Sequence, residues 1–418
     1  MNWFPLLKTV LIILNVLIRY FYYKEILNIK KFILKKGGMK LDYSLSEEQK
    51  MFRQSVRRFA QEKVASLAEE IEESGNYPDE LLQMMNQQGI MGLPYETKYN
   101  GGGGNLLMMC LAMEELASVC ANTAMVPTTQ ELGAMPIVVG GSEEQKQKYL
   151  PKIASGESRI SFALTEPEAG SDVASMRTKA HFDGRNYIVN GVKRFISYAD
   201  VADVMCVFAK TKTLNEENVS AFIVDKNTPG ITIGKKENKM GFRGFSSCEV
   251  YFENVMVPPE NRLGEEGDGF KIAMKTLDKT RPLVGILAVG LAQGALDTAI
   301  AFTKERKQFG HTISQFQGLQ WMMADMAMQI EAARQLVYKS AYVIDQGELG
   351  GAKYGAMAKC FATDVCMKVT TDAVQLLGGV GYMREFPTER YFRQAKLLQI
   401  VEGTNQIQRV VIANQLLK

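Results

Sequence analysis

Tyr187-Ile188-Val189-Asn190-Gly191-Val192-Lys193-Arg194-Phe195-Ile196-Ser197 is the stretch that decides how this 418-residue chain folds. β-Branched and aromatic residues crowd it, and the Asn-Gly pair suits both positive-φ positions of a type I′ turn, so the stretch predicts a β-hairpin. Strand signals continue around it. Residues 204–209 and 219–224 are apolar runs of strand length, residues 248–252 partly alternate, and Pro258-Pro259 closes a strand-rich region that begins near 160.

Both flanks read as helix. Ser46 followed by Gln49 forms a capping-box pattern, after which Phe52, Val56, Phe59, Val64 and Leu67 recur at helical spacing. Beyond Gly269, the residues Leu319, Met322, Met326, Ile330, Ala333, Val337, Ala341 and Ile344 form one apolar stripe, read as core packing rather than a cofactor box. Gly285, Ala288, Gly290, Gly294 and Ala295 allow a second helix to approach closely. Gly101-Gly102-Gly103-Gly104 lacks a following Gly-Lys-Ser/Thr and reads as a flexible inter-helix loop, not a phosphate cradle. No Gly-x-Gly-x-x-Gly follows a strand, so a Rossmann nucleotide site is unsupported. The expected class is α+β, mainly helical: an extension over 1–38, an N-terminal helical domain over 39–158, a middle β-domain over 159–265 and a C-terminal helical bundle over 266–418.

Composition removes several function classes. Residues 1–38 hold seven Lys/Arg and one acid, leaving 42 bases against 45 acids elsewhere, so the body offers no basic stripe for nucleic acid. Cys110, Cys120, Cys206, Cys248, Cys360 and Cys366 form no Cys-x-x-Cys pair and read as buried small side chains in a reducing compartment. His181 and His311 are the only histidines, which leaves no metal cluster and little supply for a Ser-His-Asp triad. Acid–base work therefore falls to carboxylates. In residues 1–38 an apolar run of ten lies between Lys8 and Arg19, half the length of a spanning helix. The favoured reading places the physiological start at Met39 after a ribosome-binding-like Lys36-Gly37-Gly38. A short membrane anchor is the alternative.

Ile400-Val401-Glu402-Gly403-Thr404-Asn405-Gln406-Ile407-Gln408-Arg409 supplies the carboxylate. Glycine lets the backbone come close to a ligand, threonine offers a hydroxyl, and Glu402 beside them is a general-base candidate.

Further segments match one family. Leu164-Thr165-Glu166-Pro167-Glu168-Ala169-Gly170-Ser171-Asp172 resembles the acyl-CoA dehydrogenase signature, and residues 305–310, 375–382 and 402–404 resemble its other fingerprints in the same order. Asp278-Lys279-Thr280-Arg281-Pro282 resembles the short- and medium-chain branch. The resemblance covers about residues 42–418. It implies helical outer domains, the last a four-helix bundle, around a middle β-barrel or sandwich, with FAD held between domains and against a neighbouring subunit. Carried over, Phe162, Leu164, Thr165, Ser171, Phe195, Ile196 and Ser197 would line the flavin, Phe195 standing where the family often has tryptophan. Arg306, Gln308, Phe316, Gln317, Gln375, Gly378 and Gly379 would reach the partner subunit's FAD. Thr404 and Gln406 would also meet FAD, while Ser171, Asp278, Arg281 and Gly403 would contact acyl-CoA. Met125, Pro127 and Thr128 occupy the region that shapes the acyl pocket, and Val401 replaces an aromatic beside the base.

The activity implied is α,β-dehydrogenation of a short- to medium-chain acyl-CoA, with Glu402 removing the α-proton and electrons passing to electron-transfer flavoprotein. A homo-oligomer, a dimer of dimers, and a bacterial cytoplasmic location follow from the same resemblance, membrane association through 1–38 being the lesser alternative. An enoyl-CoA reductase or acyl-CoA oxidase on the same fold, and a non-catalytic CoA-binding scaffold, are the competing readings.

Overall fold

The computed structural model describes residues 45–212 and 217–417; the extension read over 1–38 lies outside them. Ser46 and Gln49 exchange hydrogen bonds between side chain and backbone at 3.0 and 3.1 Å, the expected capping box, which opens α1 (Glu47–Phe59). Helices α2 (Ala68–Ser74), α3 (Asp79–Gln87), α4 (Leu106–Val119), α5 (Ala121–Gly140) and α6 (Glu143–Ala154) complete the first helical region. The four-glycine loop precedes α4, and its amides are consumed locally. Gly102, Gly103 and Gly104 donate to the carbonyls of Gly92, Tyr95 and Leu93 at 2.8–2.9 Å, so the loop is tied down and offers no phosphate cradle.

The strand-rich region forms one sheet. Its eight strands are β1 (Ile160–Ala163), β2 (Lys179–Phe182), β3 (Tyr187–Ser197), β4 (Val204–Lys212), β5 (Glu217–Asp225), β6 (Ile231–Lys236), β7 (Ser247–Val257) and β8 (Arg262–Leu263). They follow the order β6-β7-β3-β2-β4-β5-β8, with β1 parallel to β4. β4 is apolar from Val204 to Ala209 because both its faces are covered there. Val204, Cys206 and Phe208 join a core with α5 and α6, while Met205, Val207 and Ala209 face the β3, β5 and β7 side chains.

The hairpin expected at Asn190-Gly191 does not form. Residues 187–197 are one strand, and the pair serves two other needs. Asn190 accepts from the Asn254 amide at 2.8 Å, pinning a bulge in β7 where the register slips between Val189 and Gly191. Gly191 is required by crowding, since a Cβ there would lie 2.4 Å from the Thr178 hydroxyl oxygen.

The last region contains α7 (Gly269–Glu305), a small hairpin of β9 (Lys307–Gln308) and β10 (His311–Thr312), α8 (Gln317–Asp345), α9 (Gly351–Leu377), α10 (Pro387–Leu398) and α11 (Asn405–Leu416). Length and composition would let α7 cross a membrane, yet most of its apolar window is buried inside the protein. The predicted stripe on α8 is core, with Met326, Ile330, Ala333, Val337 and Ala341 all buried. The small residues of α7 work as expected: a Cβ on Gly290 or Gly294 would strike the α4 backbone at 2.4 or 2.1 Å. Three walls of the bundle are α7, α8 and α9. The fourth is split into α10 and α11, both packed on α9, and the break between them carries Glu402. Glu72 steadies the α10 side of that break. It is fully buried, and its carboxylate accepts from Asn122 at 2.8 Å, Arg393 at 2.9 Å and Gln394 at 2.9 Å, leaving no lone charge. The expected mainly helical α+β fold, with helical outer regions around a central sheet, is the one observed.

Candidate active site

Glu402 sits at φ +52° and Gly403 at φ +88°. Glutamate pays roughly 1 kcal/mol or more for the left-handed region, and surrounding structure must hold it there. That structure is explicit. Gln408 Nε2 donates to the carbonyls of Glu402 and Gly403 at 3.0 and 2.9 Å, and Lys359 Nζ donates to the Gly403 carbonyl at 2.9 Å. Thr404 then caps α11 by accepting from the Ile407 amide at 3.3 Å. The turn leaves the Glu402 N–H without a hydrogen bond to any described residue.

From α7, Thr280 Oγ1 donates to Glu402 Oε2 at 2.8 Å and fixes the carboxylate. Burial pushes the Glu402 carboxyl up to about 7, against the opposing pull of the Thr280 hydroxyl and the Arg281 and Lys359 cations. Its side chain remains partly accessible to solvent while protein atoms crowd the carboxylate, the combination a base meeting a substrate requires. Arg281 is buried and paired with Asp278 at 2.6 Å, so Asp278 is the more exposed of the two. Burial raises the Asp278 carboxyl, with Arg281 opposing.

A second group gathers at the sheet. Between Lys193 and Ile196, β3 carries an extra residue relative to β7, and this bulge turns Lys193 and Ile196 inward while exposing 56% of Phe195. Phe195 and Tyr198 hold φ +58° and +57°, costly values for aromatic residues. The Arg194 amide donates to the Thr165 carbonyl at 2.8 Å, bringing the 164–172 loop beside the bulge. Beneath, buried Lys193 meets Glu166 at 2.7 Å and the Leu164 carbonyl at 3.0 Å. Burial lowers Lys193 to about 8 despite Glu166. Burial also works to raise Glu166, but Lys193 and the amides of Arg177 and Thr178 outweigh it and hold that carboxyl low.

Thus Phe162, Leu164, Thr165, Phe195, Ile196 and Ser197 fall in one neighbourhood, with Ser171 exposed on the loop beyond. Glu402, Gly403, Asp278 and Arg281 fall in another. No hydrogen bond joins the two groups directly among the described residues; α5 packs against both β1 and α7 and so spans them. Arg306, Gln308, Gln317, Gln375, Gly378, Gly379 and Gln406 are exposed, and Phe316 packs edge-on to Phe309 at 6.1 Å. Lys359 and Lys193 escaped the sequence reading. Lys359 could have been found, because it interrupts the apolar face of Gly355, Ala362 and Cys366 at helical spacing.

A helical–sheet–helical chain that carries a raised carboxylate on a strained turn and an exposed aromatic bulge on its sheet has the layout that the resemblance to acyl-CoA dehydrogenases implies. Family models agree: the acyl-CoA dehydrogenase N-terminal domain matches residues 46–157, the middle domain 161–255 and the C-terminal domain 267–417. A short-chain-specific acyl-CoA dehydrogenase of Clostridium acetobutylicum is 46% identical over 380 residues, covering 90% of this chain and all of that protein. Butyryl-CoA dehydrogenase from Megasphaera elsdenii superposes with TM-score 0.88 at 42% identity, over 90% of this chain and 100% of that one. A chain from a structure of the electron transferring flavoprotein of Acidaminococcus fermentans also gives TM-score 0.88, at 45% identity and the same coverage. The chain belongs to the acyl-CoA dehydrogenase family, whose members are FAD-binding oxidoreductases.

Proposed function

We propose that this protein desaturates a straight short- to medium-chain acyl-CoA thioester to the trans-2-enoyl-CoA, with Glu402 as base and electron-transfer flavoprotein as acceptor. One observation carries the reading: a carboxylate raised to about 7 stands on a strained turn whose own N–H has no hydrogen-bond partner among the described residues. The carboxylate takes the α-proton. The Glu402 N–H is available to the thioester oxygen as negative charge develops there, a contribution of about 3–4 kcal/mol for one such donor. Thr280 keeps the accepting oxygen oriented and cannot itself serve as a base.

FAD suits the residues present. The outward, strained Phe195 ring offers a flat apolar platform, with Thr165 and Ser197 as polar neighbours, and neither Gly378 nor Gly379 meets any atom within 4 Å of an added Cβ. When bound, FAD supplies the acceptor for the β-hydrogen as hydride. Phe162, Leu164, Thr165, Ser171, Phe195, Ile196, Ser197, Thr404 and Gln406 would hold it from this chain, and Arg306, Gln308, Phe316, Gln317, Gln375, Gly378 and Gly379 from a partner in a homo-oligomer. The short-chain reading is supported by buried Met125 and by Thr128, whose hydroxyl is spent on the Ala124 carbonyl at 2.9 Å, leaving an apolar wall. Six free, buried cysteines support a reducing, cytoplasmic setting.

Anaerobic titration with butyryl-, octanoyl- and palmitoyl-CoA tests the reading: the two shorter thioesters should bleach the bound flavin. Glu402→Gln should keep FAD and acyl-CoA while losing about 10³-fold or more in flavin reduction. Turnover near the native rate in that variant would remove Glu402 from its role.

A further inference from the structure

Helix α9 buries Lys359 completely, yet no carboxylate among the described residues lies within ion-pair distance of it. A buried ammonium without a counter-ion is costly and has to be compensated by good hydrogen bonds. Two are present: Nζ donates to Asn405 Oδ1 and to the Gly403 carbonyl, each at 2.9 Å. Asn405 is itself clamped. Its Nδ2 reaches the Cys360 carbonyl at 3.3 Å, Thr363 Oγ1 at 2.9 Å and Asp364 Oδ1 at 2.7 Å. One end of the lysine's hydrogen-bond set is therefore rigid, and the other grips the carbonyl of Gly403, the residue that follows the strained Glu402.

The charged groups around the turn single out this lysine. On α7, Arg281 is neutralised by Asp278 at 2.6 Å, and Thr280 is uncharged. On α9 and α11, Asp364 is paired with Arg409 at 2.8 Å, and the Cys360 thiol is pushed up by burial. Gln408, the other group on the turn, carries no charge. Lys359 is thus the cation facing Glu402 that has no carboxylate of its own among the described residues.

We propose that Lys359 is a positioning residue: its ammonium locks the Gly403 carbonyl, keeps Glu402 in the left-handed turn, and acts as the buried countercharge of the Glu402 carboxylate. The proposal rests on Glu402 being the base. Lowering of Lys359 to about 8 by burial, with Glu402 opposing, agrees with two charges that sense each other.

The test is flavin reduction by butyryl-CoA in anaerobic stopped flow, followed across pH for the native holoprotein, Lys359→Met and Lys359→Arg. Lys359→Met, of similar volume and no charge, should keep FAD, reduce it at least about tenfold more slowly, and move the acid limb up by about one pH unit. Lys359→Arg should keep the limb near its native position. A slower rate with an unmoved limb would make the lysine merely structural and overturn the proposal, as would native behaviour in Lys359→Met. Failure of both variants to yield holoprotein would also overturn it, by showing a folding element. Should no acyl-CoA bleach even the native protein, the proposed function fails instead. The lysine is then judged by the infrared carboxyl titration of Glu402, blanked with Glu402→Gln, which Lys359→Met must still shift upward.

Discussion

At the scale of single residues, the free energy of Glu402 is set by three neighbours of unequal effect. Burial dominates and favours the neutral acid; Thr280, Arg281 and Lys359 favour the carboxylate without overcoming it. The sign for activity follows. Below about 7 the carboxyl carries a proton and cannot take another, so with Glu402 as the proposed base kcat/KM should fall tenfold for each pH unit lost below that point. A profile flat through neutrality down to the ordinary carboxylate range would contradict this. Thr280→Val tests the same balance from one side. It deletes a hydrogen bond that favours the charged form, so the limb should move upward, and a downward or absent shift would show that the 2.8 Å contact does not tune the base. The Glu-Gly-Thr order was legible because it names a carboxylate, a flexible neighbour and a cap. The positive φ of Glu402 was not, since nothing in glutamate's own preference predicts it; that conformation is imposed by Gln408 and Lys359 across the loop.

At the scale of elements, the bulged strand β3 shows how one device serves two ends. A regular strand alternates its faces, so Lys193 and Phe195 would point the same way. Inserting one residue lets Lys193 go in to bind Glu166 and the Leu164 carbonyl while Phe195 goes out. The 164–172 loop and the exposed aromatic are thereby held by one buried ion pair. Removing one partner leaves the other charge buried alone. Lys193→Met should therefore cost about 3–5 kcal/mol in urea unfolding, and Glu166→Gln should fall in the same direction. Lys193→Met paired with Glu166→Leu should recover much of the loss, since two apolar groups strand no charge. A Lys193→Met variant as stable as the native protein would show that the pair is not holding the loop. The strand texture of this region was readable from its β-branched runs, and β4 was found by its apolar length. The Asn-Gly pair misled because a dipeptide's turn preference is local, whereas its use here is decided by Thr178 and Asn254 on neighbouring strands.

At the scale of the whole molecule, the exposed residues fit the proposed homo-oligomer. Phe309 is 90% exposed at φ +52°, and Trp321 and Met328 are exposed on the α8 face away from its buried stripe. A strained aromatic left in water is a poor use of stability unless something covers it. The family resemblance assigns Arg306 to FAD on the neighbouring subunit, where its planar fork suits a pyrophosphate. Arg306→Ala should then weaken FAD retention by roughly tenfold to a hundredfold, the worth of one charge-assisted contact, without moving the acid limb of Glu402. Mixing decides whether the arginine acts in its own subunit or across an interface. Homo-oligomers of Glu402→Gln lack the base, and those of Arg306→Ala lack the clamp. A mixed pair restores one complete site, carrying Glu402 from one subunit and Arg306 from the other. Co-expression of the two variants should therefore recover about a quarter of the native sites, as random pairing in a two-fold assembly gives. Recovery would place the clamp in the partner. Persistent inactivity in a mixed oligomer that forms normally would mean that each subunit holds its flavin alone, and that the exposed face is covered for another reason.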